Sequence, residues 1–305
     1  MKNQIYLKEK KNLNRIVGTQ KQKKMTLIIG ARFKDGVILV SDRKITDTST
    51  GKFSFEKKLI VPLPIPLIFG AAGFSHKFKQ FNRKILEKVD ERNREINLLN
   101  IAHYNRLGLV FKSIEQEKIE PEKLNTKDIE TKDNKESQKE EIQNTPVYIY
   151  STEKFIEDCQ QMIRKLCTGA DGIIRNDLDV LLGIFNRQGR IHHITFDGEE
   201  EEVNYFAIGS GADYVRNFLK QSWSEDMSIE QIIKLCFFCV YYVQDMELDS
   251  GVGTEKSDVM PDHLVVTHDG TLGEWTDLNK QKEEIKKEID DRIAKFKDLQ
   301  NSLIF

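Results

Sequence analysis

Three residues near the start of the chain have side chains that together could activate a hydroxyl group. They are Thr26, Asp42 and Lys58, and sixteen positions separate each one from the next. A threonine hydroxyl is a weak nucleophile unless a base takes its proton and a nearby cation favours the alkoxide. Lys58 offers the positive charge, and Asp42 would keep that lysine charged and oriented. We therefore expect the three side chains to converge at one end of a sheet.

The base for Thr26 would be its own α-amine, which requires the threonine to be the first residue. A free α-amine has an unperturbed pKa of about 7.7–8.0 and lies close to the hydroxyl of the same residue. In this sequence Met25 precedes Thr26, and residues 1–24 contain eight Lys or Arg and one acid, Glu9. This like-charged, weakly apolar segment is most simply a mobile basic arm, and Met25 is a second plausible translation start.

The pattern of apolar residues predicts runs of strands that alternate with runs of helices. Strands are expected where short apolar stretches follow one another between turn residues, at 26–33, 37–41, 59–61, 67–69, 179–185, 190–196, 204–208 and 263–268. Helices are expected where apolar residues recur every three or four positions, from 74 onward, at 155–166, after Gly211, at 229–246 and from 277. This order favours an α+β fold with two antiparallel sheets, covered by helices on both outer faces.

Three regions follow from the composition along the chain. The basic residues 1–25 are followed by a main domain at 26–276, which carries a polar insertion at about 115–145. The insertion is rich in charge and has no aromatic residue, so we favour disorder there over a solvated helix. Residues 277–305 form an amphipathic helix that would dock on the body or on a partner.

Composition excludes several classes of protein. The formal net charge is −2, no apolar run is long enough to cross a bilayer, and the basic N-terminus lacks the apolar core of a secretory signal. We expect a cytoplasmic protein without nucleic-acid or membrane partners. Cys236 and Cys239 lie in an apolar helix without a second pair, so they are expected to be core residues. His192 and His193 have no evident partner ligands, and we expect no metal and no cofactor.

The opening TLIIGARFKDGVILVSDRKIT resembles that of β-type subunits of the 20S proteasome and their bacterial relatives, the N-terminal-nucleophile threonine peptidases. The resemblance covers residues 26–275. Positions that match the family pattern are Thr26, Gly30, Asp35-Gly36, Asp42, Lys44, Thr46, Lys58, Gly70, Gly73, Gly209-Ser210-Gly211 and Ser250-Gly251. The chain departs from the pattern at Leu27, where threonine is usual, and at Glu247, where aspartate is usual. The insertion and the C-terminal helix are further departures.

The resemblance implies a four-layer α/β/β/α sandwich and peptide-bond hydrolysis through an acyl-threonine. It assigns the nucleophile to Thr26 and an oxyanion-binding N–H to Gly70. It also implies that residues 1–25 are an upstream start or a propeptide, so that the working chain starts at Met25 or is cut after it. Ser210, Ser250 and Glu247 would support the amine and a bridging water, and Ile68 would form a wall of the specificity pocket. It also implies a ring of identical or paralogous subunits, unfolded polypeptide as the substrate, and an ATPase unfoldase as a candidate partner.

Other interpretations of the same residues remain open. The chain could be a non-catalytic structural subunit like the α-type subunits, which also begin with an extension, or it could hydrolyse small-molecule amides on the same fold. Thr26 could be an ordinary edge-strand residue, Asp42 a turn cap, and Lys58 a solvated lysine beside Lys57. Ser210 could cap the helix that follows it, and Gly70 and Gly73 could serve only close packing.

Overall fold

The computed structural model describes residues 26–46, 53–62, 65, 67–106, 150–245, 252–254, 260–268, 272–274 and 278–303. The predicted arm at 1–25, the insertion at about 115–145, and the predicted site residues Glu247 and Ser250 lie outside the described residues. The chain divides into two compact units. One contains the residues up to Ile85 and those from Ile156 onward, and the other contains Leu86–Phe155.

Twelve strands and five helices occur in the described residues. The strands are β1 (Leu27–Phe33), β2 (Gly36–Ser41), β3 (Lys44–Thr46), β4 (Phe53–Phe55), β5 (Leu59–Ile60), β6 (Leu67–Gly73), β7 (Leu178–Asn186), β8 (Gln188–Ile194), β9 (Glu200–Val203), β10 (Tyr205–Gly209), β11 (Asp262–Thr267) and β12 (Leu272–Gly273). The helices are α1 (Ser75–Arg106), α2 (Thr152–Cys167), α3 (Ala212–Ser222), α4 (Ile229–Asp245) and α5 (Leu278–Leu303).

The first sheet has the strand order β10-β1-β2-β11-β12, and all its pairs are antiparallel. Strands β1 and β2 form the predicted hairpin, in which Phe33 lies opposite Gly36 across the turn. Nearly every residue of these two strands is buried, which agrees with their continuous apolar runs. Because β1 lies between β10 and β2, the start of β1 is held from both sides.

The second sheet has the order β5-β6-β7-β8-β9 and is also antiparallel. Its central strands face the first sheet through a shared apolar cluster that includes Ile28, Val37, Leu39, Ile68, Leu181 and Ile191. At the outer edge, β9 consists of three exposed glutamates followed by Val203. The two sheets therefore enclose one apolar layer between them.

Helices α3, α4 and α5 cover the other face of the first sheet. The odd-numbered residues of β1, among them Leu27 and Ile29, point into a second apolar cluster that these helices complete. The predicted buried helix is α4, in which Cys236 and Cys239 are fully buried and unpaired, as expected for core cysteines. The apolar stripe of α5 contributes Ile289 to the same cluster. The amphipathic C-terminal helix thus docks on the body.

Within the first unit, α1 contacts the second sheet, and α2 contacts α1 and the turn that follows β8. The ring of Phe81 on α1 meets Phe69 of β6 edge-on, with centroids 6.0 Å apart. Lys77 Nζ donates to the carbonyl of Leu166, at 2.8 Å, and to Asp177 Oδ2, at 2.6 Å. An ammonium at this position satisfies a terminal carbonyl of α2 and opposes the negative end of the helix dipole.

The second unit, Leu86–Phe155, contains the distal part of α1 and the first turn of α2. Ion pairs between residues three apart, Lys88–Glu91 and Arg92–Glu95, lie along α1. Such pairs stabilise a helix by only a few tenths of a kcal/mol, about 0.2–0.5 each. The backbone N–H of Phe155 donates to Ser151 O and begins the hydrogen-bond ladder of α2.

The predicted α+β class with antiparallel sheets is confirmed, but four short strands were not predicted. These are β3, β4, β9 and β12. The sequences KIT and EEEV show no apolar alternation, so nothing local marks them as strands. They form because a neighbouring strand offers free backbone groups, as β8 does for β9 and β3 and β4 do for each other. Strand β6 also continues past the predicted end to Gly73.

Candidate functional site

Thr26 lies directly before β1 and is 4% exposed. Its carbonyl accepts a hydrogen bond from the backbone N–H of Ser210 at 2.9 Å. Its hydroxyl donates to Asp42 Oδ1 at 3.1 Å. The interpretation of Thr26 as an edge-strand residue is wrong, because β1 has a partner strand on each side.

Asp42 follows the last residue of β2 and is completely buried. Within the described residues its carboxylate accepts five hydrogen bonds. The donors to Oδ1 are Thr26 Oγ1 (3.1 Å), the Leu27 N–H (2.8 Å) and Lys58 Nζ (2.6 Å), and the donors to Oδ2 are the Lys44 N–H (3.1 Å) and the Gly253 N–H (3.3 Å). The bond from Lys44 is the predicted turn contact, so Asp42 caps its turn and also joins the site.

Lys58 reaches Asp42 from the residue just before β5. It is 1% exposed, so the interpretation as a solvated lysine is wrong. Its Nζ donates to Asp42 Oδ1 and to the carbonyl oxygen of Lys44, both at 2.6 Å. Lys57, next to it, points outward instead and pairs with Glu274 at 2.6 Å.

Burial and charge act on Lys58 in opposite directions. Burial lowers the pKa of Lys58, and the attraction and hydrogen bond of Asp42 raise it, with burial the larger effect. The net result is a lysine whose pKa lies below its ordinary value. An ammonium of this kind gives up a proton more easily than a solvated lysine does, and it concentrates positive charge beside the Thr26–Asp42 contact.

The β10–α3 junction supports Thr26 from the other side. The Oγ of Ser210 lies 3.5 Å from the carbonyl oxygen of Thr26, at the limit of a hydrogen bond. The alternative that Ser210 caps α3 is wrong, because Gly211 occupies the cap position and no side chain caps the helix. Gly209 has φ +100°, and a Cβ there would lie 2.0 Å from the Thr26 carbonyl oxygen. Glycine is therefore required at 209 by both conformation and space.

The structure places Gly70 beside the site and Ile68 between the sheets. Gly70 lies opposite Leu59, the residue after Lys58, and a Cβ on it would meet Leu59 Cδ2 at 2.7 Å. The close-packing interpretation of Gly70 thus has direct support, and the oxyanion role of its N–H stays a prediction. Ile68 is fully buried in the apolar layer between the sheets. Gly73 permits a similarly close approach, because a Cβ there would lie 2.1 Å from Asp177 O.

Several backbone groups and one side chain of the site were not anticipated from the sequence. The carbonyl of Lys44 binds Lys58, and the N–H of Gly253 binds Asp42. Gln244 Oε1 accepts from the backbone N–H of Thr254 at 3.1 Å, next to Gly253. Backbone groups carry no residue-type signal, so sequence inspection could not single out the first two. Gln244 could have been noticed only as a polar residue at the end of an otherwise apolar helix.

The part of the chain that the structure describes shows neither a metal-binding cluster nor a membrane-spanning helix. No cluster of three or more His, Cys, Asp or Glu residues suited to a metal ion occurs in the described ranges. The adjacent His192 and His193 instead pair with Glu200 and Glu201 on β9, with Nδ1–Oε1 distances of 2.5 and 3.0 Å. Among the helices that the structure describes, none has both the length and the apolar character needed to span a bilayer.

Comparison with known proteins gives one further finding. Residues 177–256 match the family model described as Proteasome subunit. The matched region runs from just before β7 past Thr254, so it includes the Ser210 and Gly253 contacts to the site. A search of curated proteins gave no match.

Proposed function

We propose that this chain is a proteasome-family subunit, as the match over residues 177–256 supports, and that it is a threonine peptidase that cleaves peptide bonds through an acyl intermediate on Thr26. The observation that carries the proposal is the convergence on one buried oxygen. Asp42 Oδ1 accepts both the Thr26 hydroxyl and the Lys58 ammonium. A hydroxyl held next to a buried cation and carboxylate is the arrangement that nucleophilic catalysis by threonine requires.

The reaction needs a free α-amine on Thr26, and therefore removal of residues 1–25. That amine would take the hydroxyl proton, through a water, as Oγ1 forms a bond to the substrate carbonyl carbon. The developing oxyanion would be held by the N–H of Gly70. When the C–N bond breaks, the proton passes to the leaving amine. A water then attacks the ester and releases the acid, restoring the Thr26 hydroxyl and its amine.

The remaining predicted residues have supporting roles in this proposal. Ser210, Ser250 and Glu247 would orient the amine and the bridging water, and Ile68 would shape an apolar pocket. The support for the role of Ser210 is its contact with the Thr26 carbonyl. Lys58 would keep positive charge next to the nucleophile and help the hydroxyl to ionise.

At the level of the whole molecule, we propose the four-layer α/β/β/α sandwich of N-terminal-nucleophile hydrolases. The support is a pair of antiparallel sheets with a shared apolar layer and helices against their other faces. The subunit would work in the cytoplasm, in a ring of identical or paralogous subunits, on unfolded polypeptide supplied by an ATPase unfoldase.

The test begins with the N-terminus of the protein isolated from its native cells. Edman degradation and intact mass should give a chain that starts at Thr26. The mature protein should then cleave unfolded polypeptide, Thr26→Ala should abolish cleavage, and Thr26→Ser should retain part of it, because serine keeps a hydroxyl and an amine. Equal cleavage by Thr26→Ala and the wild type would exclude the proposal.

A second candidate is a non-catalytic structural subunit of a proteasome-like ring. The observation that favours it is that Thr26 follows Met25 in the sequence, so its nitrogen is an amide and not a base as long as that bond persists. A native chain that keeps Met25 and assembles into rings without cleaving peptides would select this candidate over the peptidase.

A further inference from the structure

A polar contact that the reaction above does not use joins the last turn of α4 to the segment Val252–Thr254. Gln244, in the last turn of α4, accepts two hydrogen bonds on Oε1. The Thr254 N–H donates at 3.1 Å and the Thr254 hydroxyl at 3.4 Å. The amide also lies against Gly253, since a Cβ there would be 3.7 Å from Gln244 Oε1. One half-buried side chain thus holds this segment at a fixed position.

The segment held by Gln244 is bound in turn to the site. The Gly253 N–H donates to Asp42 Oδ2 at 3.3 Å, and the Gly253 carbonyl accepts from the N–H groups of Arg43 and Lys44 at 3.0 Å each. Gly253 lies 211 positions from Asp42, so local chain geometry does not bring the two together. Val252, buried in the helix-side cluster, anchors the segment from the other side.

We propose that Gln244 is a positioning residue of the Thr26 site. Through Thr254 it fixes the Gly253 N–H on Asp42 and thereby the orientation of the carboxylate that binds Thr26 and Lys58. This inference rests on the proposed peptidase function, but the contact itself can be tested without activity.

The direct test compares Gln244→Met with Gln244→Glu. Methionine keeps the length of the side chain and removes the acceptor, so the kcat for peptide cleavage should fall by about tenfold or more while KM changes less than about twofold. Glutamate keeps an acceptor oxygen at the same place and should recover most of the lost kcat. Failure of Gln244→Glu to recover activity above Gln244→Met would contradict positioning by this hydrogen bond.

A matched control is available on the same helix. Gln231 Oε1 accepts from the backbone N–H of Ser228 at 2.9 Å, at the opposite end of α4. Gln231→Met removes the same kind of acceptor from the same helix, but at the end of α4 opposite to the one that binds Thr254. Its thermal stability should fall by an amount similar to that of Gln244→Met, whereas its kcat should remain that of the wild type. An equal loss of kcat in both variants would mean that Gln244 acts only through helix stability.

Hydrogen–deuterium exchange separates a failure of this inference from a failure of the proposed function. In Gln244→Met, exchange in peptides covering Val252–Thr254 should become about tenfold faster, because both hydrogen bonds that Thr254 donates to Gln244 are gone. Unchanged exchange would overturn the inference whether or not the protein is a peptidase. If exchange becomes faster but cleavage does not depend on Thr26, the Gln244 contact is supported and the proposed peptidase function is rejected.

Discussion

The candidate site depends on Asp42, because its buried carboxylate binds both Thr26 and Lys58. Removing a carboxylate from water is costly unless donors replace the lost hydration, and five donors do so here. Of these, Lys58 is the only one that also supplies charge. Removing one member of the Asp42–Lys58 pair is therefore expected to cost more stability than the intact pair contributes to folding.

We expect Lys58→Met to destabilise the chain by about 3–5 kcal/mol, because it leaves Asp42 as a buried charge without a counter-ion. Urea unfolding at neutral pH would measure the loss. Lys57→Met is the matched control, since the side chain of Lys57 is 66% exposed and its pair with Glu274 lies in solvent. That change should cost less than about 1 kcal/mol. Equal costs for the two variants would contradict the buried pair.

The lowered pKa of Lys58 gives the stability a definite pH dependence. Burial holds this pKa below the ordinary value of 10.5, which the unfolded chain regains. Between the two pKa values the folded chain has released a proton that the unfolded chain still binds, so the free energy of unfolding rises with pH in that window. Below the folded pKa both forms are protonated and this gain is absent.

The stability of the wild type relative to Lys58→Met should therefore increase as the pH rises toward 10.5. Urea unfolding of both proteins over an alkaline pH series would show it, because the contributions of groups remote from the Asp42–Lys58 pair cancel in the difference. A relative stability that decreases toward high pH would mean that Asp42, and not burial, dominates the pKa of Lys58.

At the scale of elements, the strands that could be predicted were those with a local signal. Strands β1 and β2 are apolar runs around a Lys-Asp-Gly turn, and they carry or precede Thr26 and Asp42, so their part of the site could be inferred. Strand β9 could not be predicted, because glutamates have low strand propensity and the strand is stabilised by its pairing with β8. Gly253 could not either, because it acts through its backbone N–H across 211 positions.

The junction between β10 and α3 should be intolerant of any side chain at position 209. Gly209→Ala combines a strained φ of +100° with a Cβ only 2.0 Å from the Thr26 carbonyl oxygen. Gly172→Ala is the control, with φ +74° but open space around its Cβ. Strain alone should cost about 1–2 kcal/mol in the control. Gly209→Ala should lower the free energy of unfolding clearly more than this and should abolish peptidase activity. A similar loss of stability in both variants would mean that the backbone at Thr26 can move away from the added Cβ.

The two buried cysteines of α4 can report whether this helix is folded. Burial raises the pKa of Cys239 to about 12 and that of Cys236 well above 9.0. Both thiols are fully buried, as are Cys159 and Cys167. Native protein treated with iodoacetamide near neutral pH should show no labelled cysteine by intact mass, whereas urea-unfolded protein should show four. Native labelling of α4 would indicate that the helix opens readily.

At the scale of the whole molecule, the proposed ring gives a mass that can be measured. Sedimentation and native mass spectrometry should show a closed assembly whose mass is a multiple of the mature subunit. Thr26→Ala should assemble equally well, because its hydroxyl is not needed to hold subunits together. A monomer at micromolar concentration would contradict a ring and would favour the small-molecule amide hydrolase, which needs no enclosed chamber.

The acidic strand β9 limits how such an assembly could be joined. An outermost strand normally presents free N–H and C=O groups to which another chain can add a strand. Here Glu200, Glu201 and Glu202 are all exposed on that strand. Two copies approaching through this edge would bring six carboxylates together. Each has a partner on β8 of its own copy, His192, His193 or Arg190, and the negative charge that these partners leave uncompensated opposes intermolecular sheet extension. The β9 edge of the second sheet therefore disfavours edge-to-edge aggregation, and neighbouring subunits would have to meet through other surfaces.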